Sequence, residues 1–156
     1  MKAASLNDIR KELISLDQPA LEKLCITLAR FKKENKELLS YLLFEAHDEA
    51  TYTKNVKLEL DELFEELPKG NVYFIKKSLR KILRFLNKQI KYSGVEESEL
   101  DLRIYFCLKI KQASVPLHTG TVLSNLYQQQ VKKIHRVLSR LPEDLRYDYD
   151  REIKLI

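Results

Sequence analysis

Hydrophobic positions recur along most of the chain at spacings of three and four residues, the period of one helix face. Such stripes occupy residues 6–16, 21–28, 56–67, 72–90, 123–141 and 145–156. Turn-forming residues separate them, namely Pro19, Pro68, Gly70, Gly94, Pro116, Gly120 and Pro142. We therefore predict an all-α fold of about seven or eight helices. They would pack as antiparallel αα-hairpins, in an irregular bundle or a short α-solenoid-like array.

One segment departs from the helical period. Between residues 102 and 110, apolar residues at even positions alternate with Arg103, Tyr105, Cys107 and Lys109. A period of two is typical of a strand, but its only obvious partner, residues 72–75, begins a helical stripe, and an isolated strand pair is marginal. We predict a buried helix from about Glu96 to Ala113, and a strand over 102–110 is the alternative.

Two further patterns predict burial. Residues 38–46 are apolar almost all round, so we place them at the centre of the core. Cys25 and Cys107 lie inside apolar runs, which favours small buried side chains over reactive thiols.

Composition supports the helical interpretation. The 156 residues include only 3 Gly and 4 Pro, too few for a turn-rich all-β fold, and the hydrophobic fraction of 44% is too high for a typical disordered chain. The length predicts a single domain over residues 1–156. The N-terminus has no apolar run of signal-peptide length, and no apolar run is long enough to span a membrane, so we expect a cytoplasmic protein.

Charge is unevenly distributed around a formal net charge of +5. Residues 71–141 hold 14 basic and 4 acidic side chains, a net charge of +10, whereas residues 1–70 have a net charge of −3. A block this basic suggests an anionic partner or an acidic segment of the same chain.

The helix predicted from Asn71 to Ser93 carries most of this charge and no acidic residue. Its apolar positions share one arc of the helix, and its basic side chains occupy the opposite arc, with Phe74, Phe85 and Tyr92 along one flank. We call these basic side chains the cationic face: Lys76, Lys77, Arg80, Lys81, Arg84, Lys88 and Lys91. A second, smaller group lies on the helix predicted from about Thr121 to Leu141: Lys132, Lys133, Arg136 and Arg140.

We predict a non-enzymatic binding protein whose cationic face captures an anionic partner. Nucleic acid is the favoured partner, because Lys and Arg neutralise successive phosphates and release counterions, and an acidic protein is the next choice. One alternative is that the cationic face is merely solvated, or pairs with acids of the preceding helix: Glu59, Asp61, Glu62, Glu65 and Glu66. Another is a protein–protein interaction module with no role in nucleic-acid binding. Apolar residues near the C-terminus fit either the core or a contact in a homo-oligomer.

An enzyme is the third alternative. Carboxylates at helical spacing could hold Mg²⁺ for a phosphohydrolase: Glu45, Asp48, Glu59, Glu62 and Glu65. Acidic helix surfaces often produce this spacing by chance. The three glycines are isolated, so no phosphate-binding loop is present. We predict no catalytic residue, metal or cofactor.

Overall fold

The computed structural model describes residues 2–156, which form helices joined by short loops and no strand. The α-helices are Leu6–Ser15 (α1), Gln18–Phe31 (α2), Lys33–Ser40 (α3), Glu49–Glu65 (α4), Val72–Ser93 (α5), Glu96–Gln112 (α6), Val122–Leu138 (α7) and Glu143–Ile153 (α8). A π-helical turn, Tyr41–Glu45, follows α3. The predicted all-α class and helix number are confirmed, and residues 102–110 are helical.

The chain divides into two compact units, one ending at Phe44 and the other spanning Glu45–Ile156. Their boundary falls in the π-helical turn. The single domain predicted over residues 1–156 stays a prediction. None of the helices within residues 2–156 combines the length and the apolar character needed to cross a membrane.

The first unit has almost no interior of its own. Helices α2 and α3 pack against each other and are connected by a single residue, Lys32, whose backbone is extended. Tyr41 is the one large apolar side chain in residues 2–44 that is buried. The predicted core at residues 38–46 is therefore wrong, because Leu42, Leu43 and Phe44 are 57%, 62% and 67% exposed. The predicted burial of Cys25 is also wrong, because this short hairpin cannot enclose it.

The second unit begins with the predicted αα-hairpin of α4 and α5. The Tyr52 hydroxyl donates to Gln89 Oε1 at 2.8 Å, and the Ser93 hydroxyl donates to Glu49, so the two helices run antiparallel. Asn71 caps the start of α5, where its side chain accepts from the Tyr73 backbone N–H at 2.9 Å. Gly94 ends the helix with a φ of 66°, in the left-handed region that glycine adopts readily.

Helix α6 lies at the centre of this unit and packs against α4, α5 and α7. Its buried side chains cover about two thirds of its circumference, which explains why its sequence resembled a strand: a helix covered on most sides has only a narrow polar stripe. Its fully buried side chains include Leu102, Ile104, Phe106 and Ile110, and the predicted burial of Cys107 is confirmed. Desolvation raises the pKa of the Cys107 thiol to about 12, so it stays protonated and unreactive at neutral pH.

A buried arginine joins α6 to both neighbouring antiparallel helices. Arg103 is 5% exposed and donates from Nε to Glu99 Oε1 at 2.7 Å on its own helix. Its Nη1 donates to Asn87 Oδ1 of α5 at 3.1 Å and to Gln130 Oε1 of α7 at 2.8 Å. Because α5 and α7 both run antiparallel to α6, they run parallel to each other. Asn87 of α5 and Gln130 of α7 lie at the same height along the axis of α6, since both accept from Arg103 Nη1.

We expect substitutions in this network to be strongly non-additive. Arg103→Met leaves the 1% exposed Gln130 with an unsatisfied amide, which should cost about 2–3 kcal/mol of unfolding free energy. Gln130→Leu should cost about 1–2 kcal/mol, because Arg103 keeps Glu99 and Asn87. The double variant should lose at least ~1 kcal/mol less than the two single losses combined, since neither polar group is then left without its partner. Urea unfolding of all four proteins measures this coupling, and purely additive losses would contradict the proposed role of the network.

Candidate nucleic-acid interface

The cationic face is largely accessible in the structure. Lys77, Arg80, Lys81, Arg84 and Lys91 are exposed, and within residues 2–156 none of these five forms an ion pair. The apolar arc of α5 is buried against the rest of the unit through Ile75, Leu79, Ile82, Leu86 and Ile90. The basic residues therefore point away from the core, as the helical wheel predicted. Lys76 and Lys88 are half-buried.

One acid of α4, Asp61, forms its contacts with α6. Asp61 Oδ1 lies 2.8 Å from Lys109 Nζ and accepts a hydrogen bond from the Tyr105 hydroxyl at 2.7 Å. Nearby, Lys57 Nζ lies 2.7 Å from Asp101 Oδ1. Asp61 is thus engaged with α6, while Glu62, Glu65 and Glu66 remain exposed. The Asp61 contacts therefore remove one acid from the alternative in which the acids of α4 neutralise α5.

The second basic group lies on α7, and its member Lys133 is close to the buried Arg103 of α6. Lys133 is one helical turn from Gln130, and its pKa is lowered by burial and by the nearby charges of Arg103 and Arg136. Arg140 Nη1 lies 3.2 Å from Glu96 Oε1 at the start of α6. Lys132 and Arg136 are exposed. Of the α7 group, Lys132 and Arg136 are therefore open to solvent, Lys133 is half-buried near Arg103, and Arg140 is engaged by an acid.

Two aromatic side chains extend the cationic face at its N-terminal end. Tyr73 is 61% exposed and Phe74 is 52% exposed, and their ring centroids lie 5.4 Å apart in an edge-to-face arrangement. Lys76 Nζ lies 5.6 Å from the centroid of the Tyr73 ring. Of the predicted aromatic flank, Tyr92 is buried and Phe85 is half-buried, so only Phe74 is accessible. The sequence interpretation missed Tyr73, although its position on the helical wheel lies within about 40° of Lys77, Arg80 and Arg84.

A cleft of about 550 Å³ lies between α4 and α6, with Tyr149 of α8 among its lining residues. Its charges have both signs, and the Lys57–Asp101 ion pair neutralises two of them. Burial, reinforced by nearby carboxylates such as Asp101 and Glu97, raises the pKa of the Tyr149 hydroxyl. At neutral pH this hydroxyl is a hydrogen-bond donor and not a base, so the cleft offers no activated nucleophile from Tyr149.

A second cavity, of about 780 Å³, lies between the α4–α5 loop and the α6–α7 loop. The α6–α7 loop begins with Ser114 in the left-handed region at a φ of 52°. Its backbone N–H donates to Lys111 O, and the next residue, Val115, donates to Ile110 O, which is the hydrogen-bond pattern of a Schellman helix end. The unusual backbone of Ser114 is therefore explained by the way α6 ends.

The carboxylates considered for Mg²⁺ do not form a metal cluster in the part of the chain that the structure describes. Within residues 2–156, no group of three or more His, Cys, Asp or Glu side chains is placed to hold a metal ion. Asp48 instead caps α4, where its carboxylate accepts from the Thr51 backbone N–H at 3.1 Å, and hydrogen bonds from Thr51 lower its pKa. The geometry therefore gives no support to the phosphohydrolase alternative.

Comparison with protein-family models, with curated proteins and with solved structures finds no match for this chain.

The Asp61 contacts give a pH-dependent prediction. Burial opposes ionisation of Asp61, but the hydrogen bonds from Lys109 and Tyr105 and the charge of Lys109 outweigh it and lower its pKa below the ordinary value. A lowered folded-state pKa stabilises the fold above the unfolded-state value, and the stabilisation is lost as the pH falls through the folded-state pKa. Asp61→Asn should therefore be less stable than the natural protein at pH 7, and the difference should shrink below about pH 4.

Urea unfolding between pH 3 and pH 7 measures this difference. The matched control is Glu62→Gln, which removes an exposed carboxylate one residue further along the same helix. Its effect should stay small at every pH. An Asp61→Asn deficit that does not change with pH would contradict the electrostatic origin.

Proposed function

We propose that this protein binds nucleic acid through the cationic face of α5, with the α7 group as an auxiliary contact. The observation that carries the proposal is the exposure of Lys77, Arg80, Lys81, Arg84 and Lys91 without ion pairs in residues 2–156. These residues follow one face of a helix over about 21 Å, at 1.5 Å per residue. A phosphate backbone is a chain of anions on this length scale, and its binding releases condensed counterions.

The proposed binding is electrostatic and carries little sequence specificity. Phosphate contacts fix the position of a protein on nucleic acid, whereas sequence is read from base edges. The basic side chains of α5 are arranged in a row along an exposed helix face. Nonspecific binding of this kind has a dissociation constant of about 1–100 µM at physiological salt and is tighter at low salt.

Neutralising three basic residues should weaken binding and reduce its salt dependence. For Lys77→Gln/Arg80→Gln/Arg84→Gln, we expect the slope of log K against log salt concentration to decrease in magnitude by roughly 2–3. Each phosphate contact contributes about 0.7–0.9 to this slope. Fluorescence anisotropy of labelled oligonucleotides across a salt series measures this slope. All three side chains are exposed, so the fold should be retained.

The matched control is Lys11→Gln/Lys23→Gln/Lys69→Gln, which removes the same charge from exposed positions outside the cationic face. This control should keep most of the natural slope. Equal losses in the two triple variants would show that only net charge matters, and the absence of binding at 50 mM salt would overturn the proposal.

A second candidate function is self-association through the first unit. The hairpin of α2 and α3 has an apolar groove of about 290 Å³ on one side, lined by Cys25, Leu28, Leu38 and Leu42 among others. Another groove, of about 590 Å³, includes Ile26, Leu43 and Phe44. Several large apolar side chains at these grooves are more than half exposed, among them Leu28, Leu42 and Leu43. We propose that a second copy of the chain covers this surface, because two such hairpins can enclose a four-helix core.

Sedimentation velocity tests this second function directly. We expect the natural protein to dimerise at concentrations of tens of micromolar, and Leu28→Ser/Leu42→Ser to shift it to monomer. Leu6→Ser is the matched control, because Leu6 is 86% exposed on α1 and outside both grooves. A natural protein that remains monomeric at 100 µM would contradict self-association.

A further inference from the structure

The aromatic pair at the start of α5 carries an inference about the form of nucleic acid that binds. Tyr73 and Phe74 stand in the first turn of the helix, and both rings are more than half exposed. Within Glu45–Ile156, the aromatic side chains exposed to this degree are Tyr73, Phe74 and Tyr147. Two of the three are therefore adjacent, and they lie at the end of the cationic face.

Exposing these rings to water is unfavourable for the isolated protein. The neighbouring Val72 is also 51% exposed, so one helical turn presents three large apolar side chains. Other aromatic residues of the second unit contribute to its core, as in the edge-to-face contact of Phe64 with Phe106 at 5.7 Å. The first turn of α5 thus has an apolar surface that the core does not use.

The position of the rings on the helix connects them with the phosphate contacts. At 100° per residue, Tyr73 lies in line with Lys77, Arg80 and Arg84, and Phe74 lies within about 20° of Lys81. Lys76, whose ammonium group faces the Tyr73 ring, links the cationic face to the aromatic pair. A strand whose phosphates follow the basic row therefore brings its bases to the level of the rings at one end.

We infer that Tyr73 and Phe74 form a stacking platform for unpaired bases, and that the preferred ligand of the cationic face is single-stranded nucleic acid. This inference rests on the proposed nucleic-acid binding function. Bases in a duplex already stack on their neighbours on both sides, whereas an unpaired base offers a free π face to an aromatic side chain. Stacking of this kind tolerates any base, which agrees with backbone-directed binding of low sequence specificity.

The first test compares a labelled oligothymidylate, which forms no duplex, with a duplex of the same length. Tyr73→Leu/Phe74→Leu keeps apolar side chains and charge but removes both rings. It should weaken single-strand binding by about tenfold or more for each base stacked, leave the salt slope unchanged, and alter duplex binding less than twofold. Tyr147→Leu is the matched control, because it removes an exposed ring from α8.

A second test detects stacking directly. The chain contains no tryptophan, so Tyr73→Trp introduces a single indole reporter that keeps an aromatic ring at the platform. Its fluorescence should be quenched by the oligothymidylate and not by the duplex, and its affinity should remain close to that of the natural protein. A Tyr147→Trp control should show no quenching.

The outcomes separate this inference from the function on which it rests. Binding of both nucleic-acid forms that is insensitive to Tyr73→Leu/Phe74→Leu, without quenching of the indole, would overturn the stacking platform but leave nucleic-acid binding intact. No binding of either form at 50 mM salt would overturn the proposed function as well. Equal losses for single strand and duplex in the leucine variant would also contradict the platform, because they would indicate a general effect on α5.

Discussion

The buried guanidinium of Arg103 is the interaction on which the arrangement of the second unit depends. A charged group with 5% exposure is tolerated only when polar partners replace the water it has lost. Arg103 obtains them from Glu99, Asn87 and Gln130, on three different helices. A sliding movement of α5 or α7 by one turn would break at least one of these bonds. The network therefore fixes the level of each helix against α6, which the apolar contacts alone would specify less strictly.

The Arg103 network also affects the helices that carry the charged surface. Asn87 and Gln130 are the points where α5 and α7 meet the same side chain, so the two helices that carry the basic groups are held at matching heights along α6. Burial lowers the pKa of Lys133, and the nearby charges of Arg103 and Arg136 lower it further. A polar network in the core thus sets the relative height of the two helices that carry the basic groups.

The helical period predicted the helices of the second unit well. It predicted less well which side chains other parts of the chain would bury or contact. It identified α5 between Asn71 and the turn-forming Gly94, where the structure shows that the amphipathic pattern and the capping residues agree. It could not separate helix from strand over residues 102–110 by pattern alone, because burial on most sides of α6 weakens the periodic signal. The apolar character of residues 38–46 indicated side chains that favour burial, but not whether other parts of the chain cover them, and Leu42, Leu43 and Phe44 are exposed. The partners of Arg103 and the turning of Asp61 towards α6 depend on tertiary contacts that spacing does not encode.

The charge of α5 is itself an argument about function. Basic residues at spacings of three or four repeat along its exposed face, as in Lys77–Lys81 and Arg80–Arg84, and each like-charged pair disfavours the helix by about 0.2–0.5 kcal/mol. No carboxylate pairs with these four residues within residues 2–156. The fold tolerates this repulsion because Ile75, Leu79, Ile82 and Leu86 anchor the opposite face in the core. A bound polyanion removes the repulsion only in the folded state, where the charges are aligned, so binding and stability of α5 are thermodynamically linked.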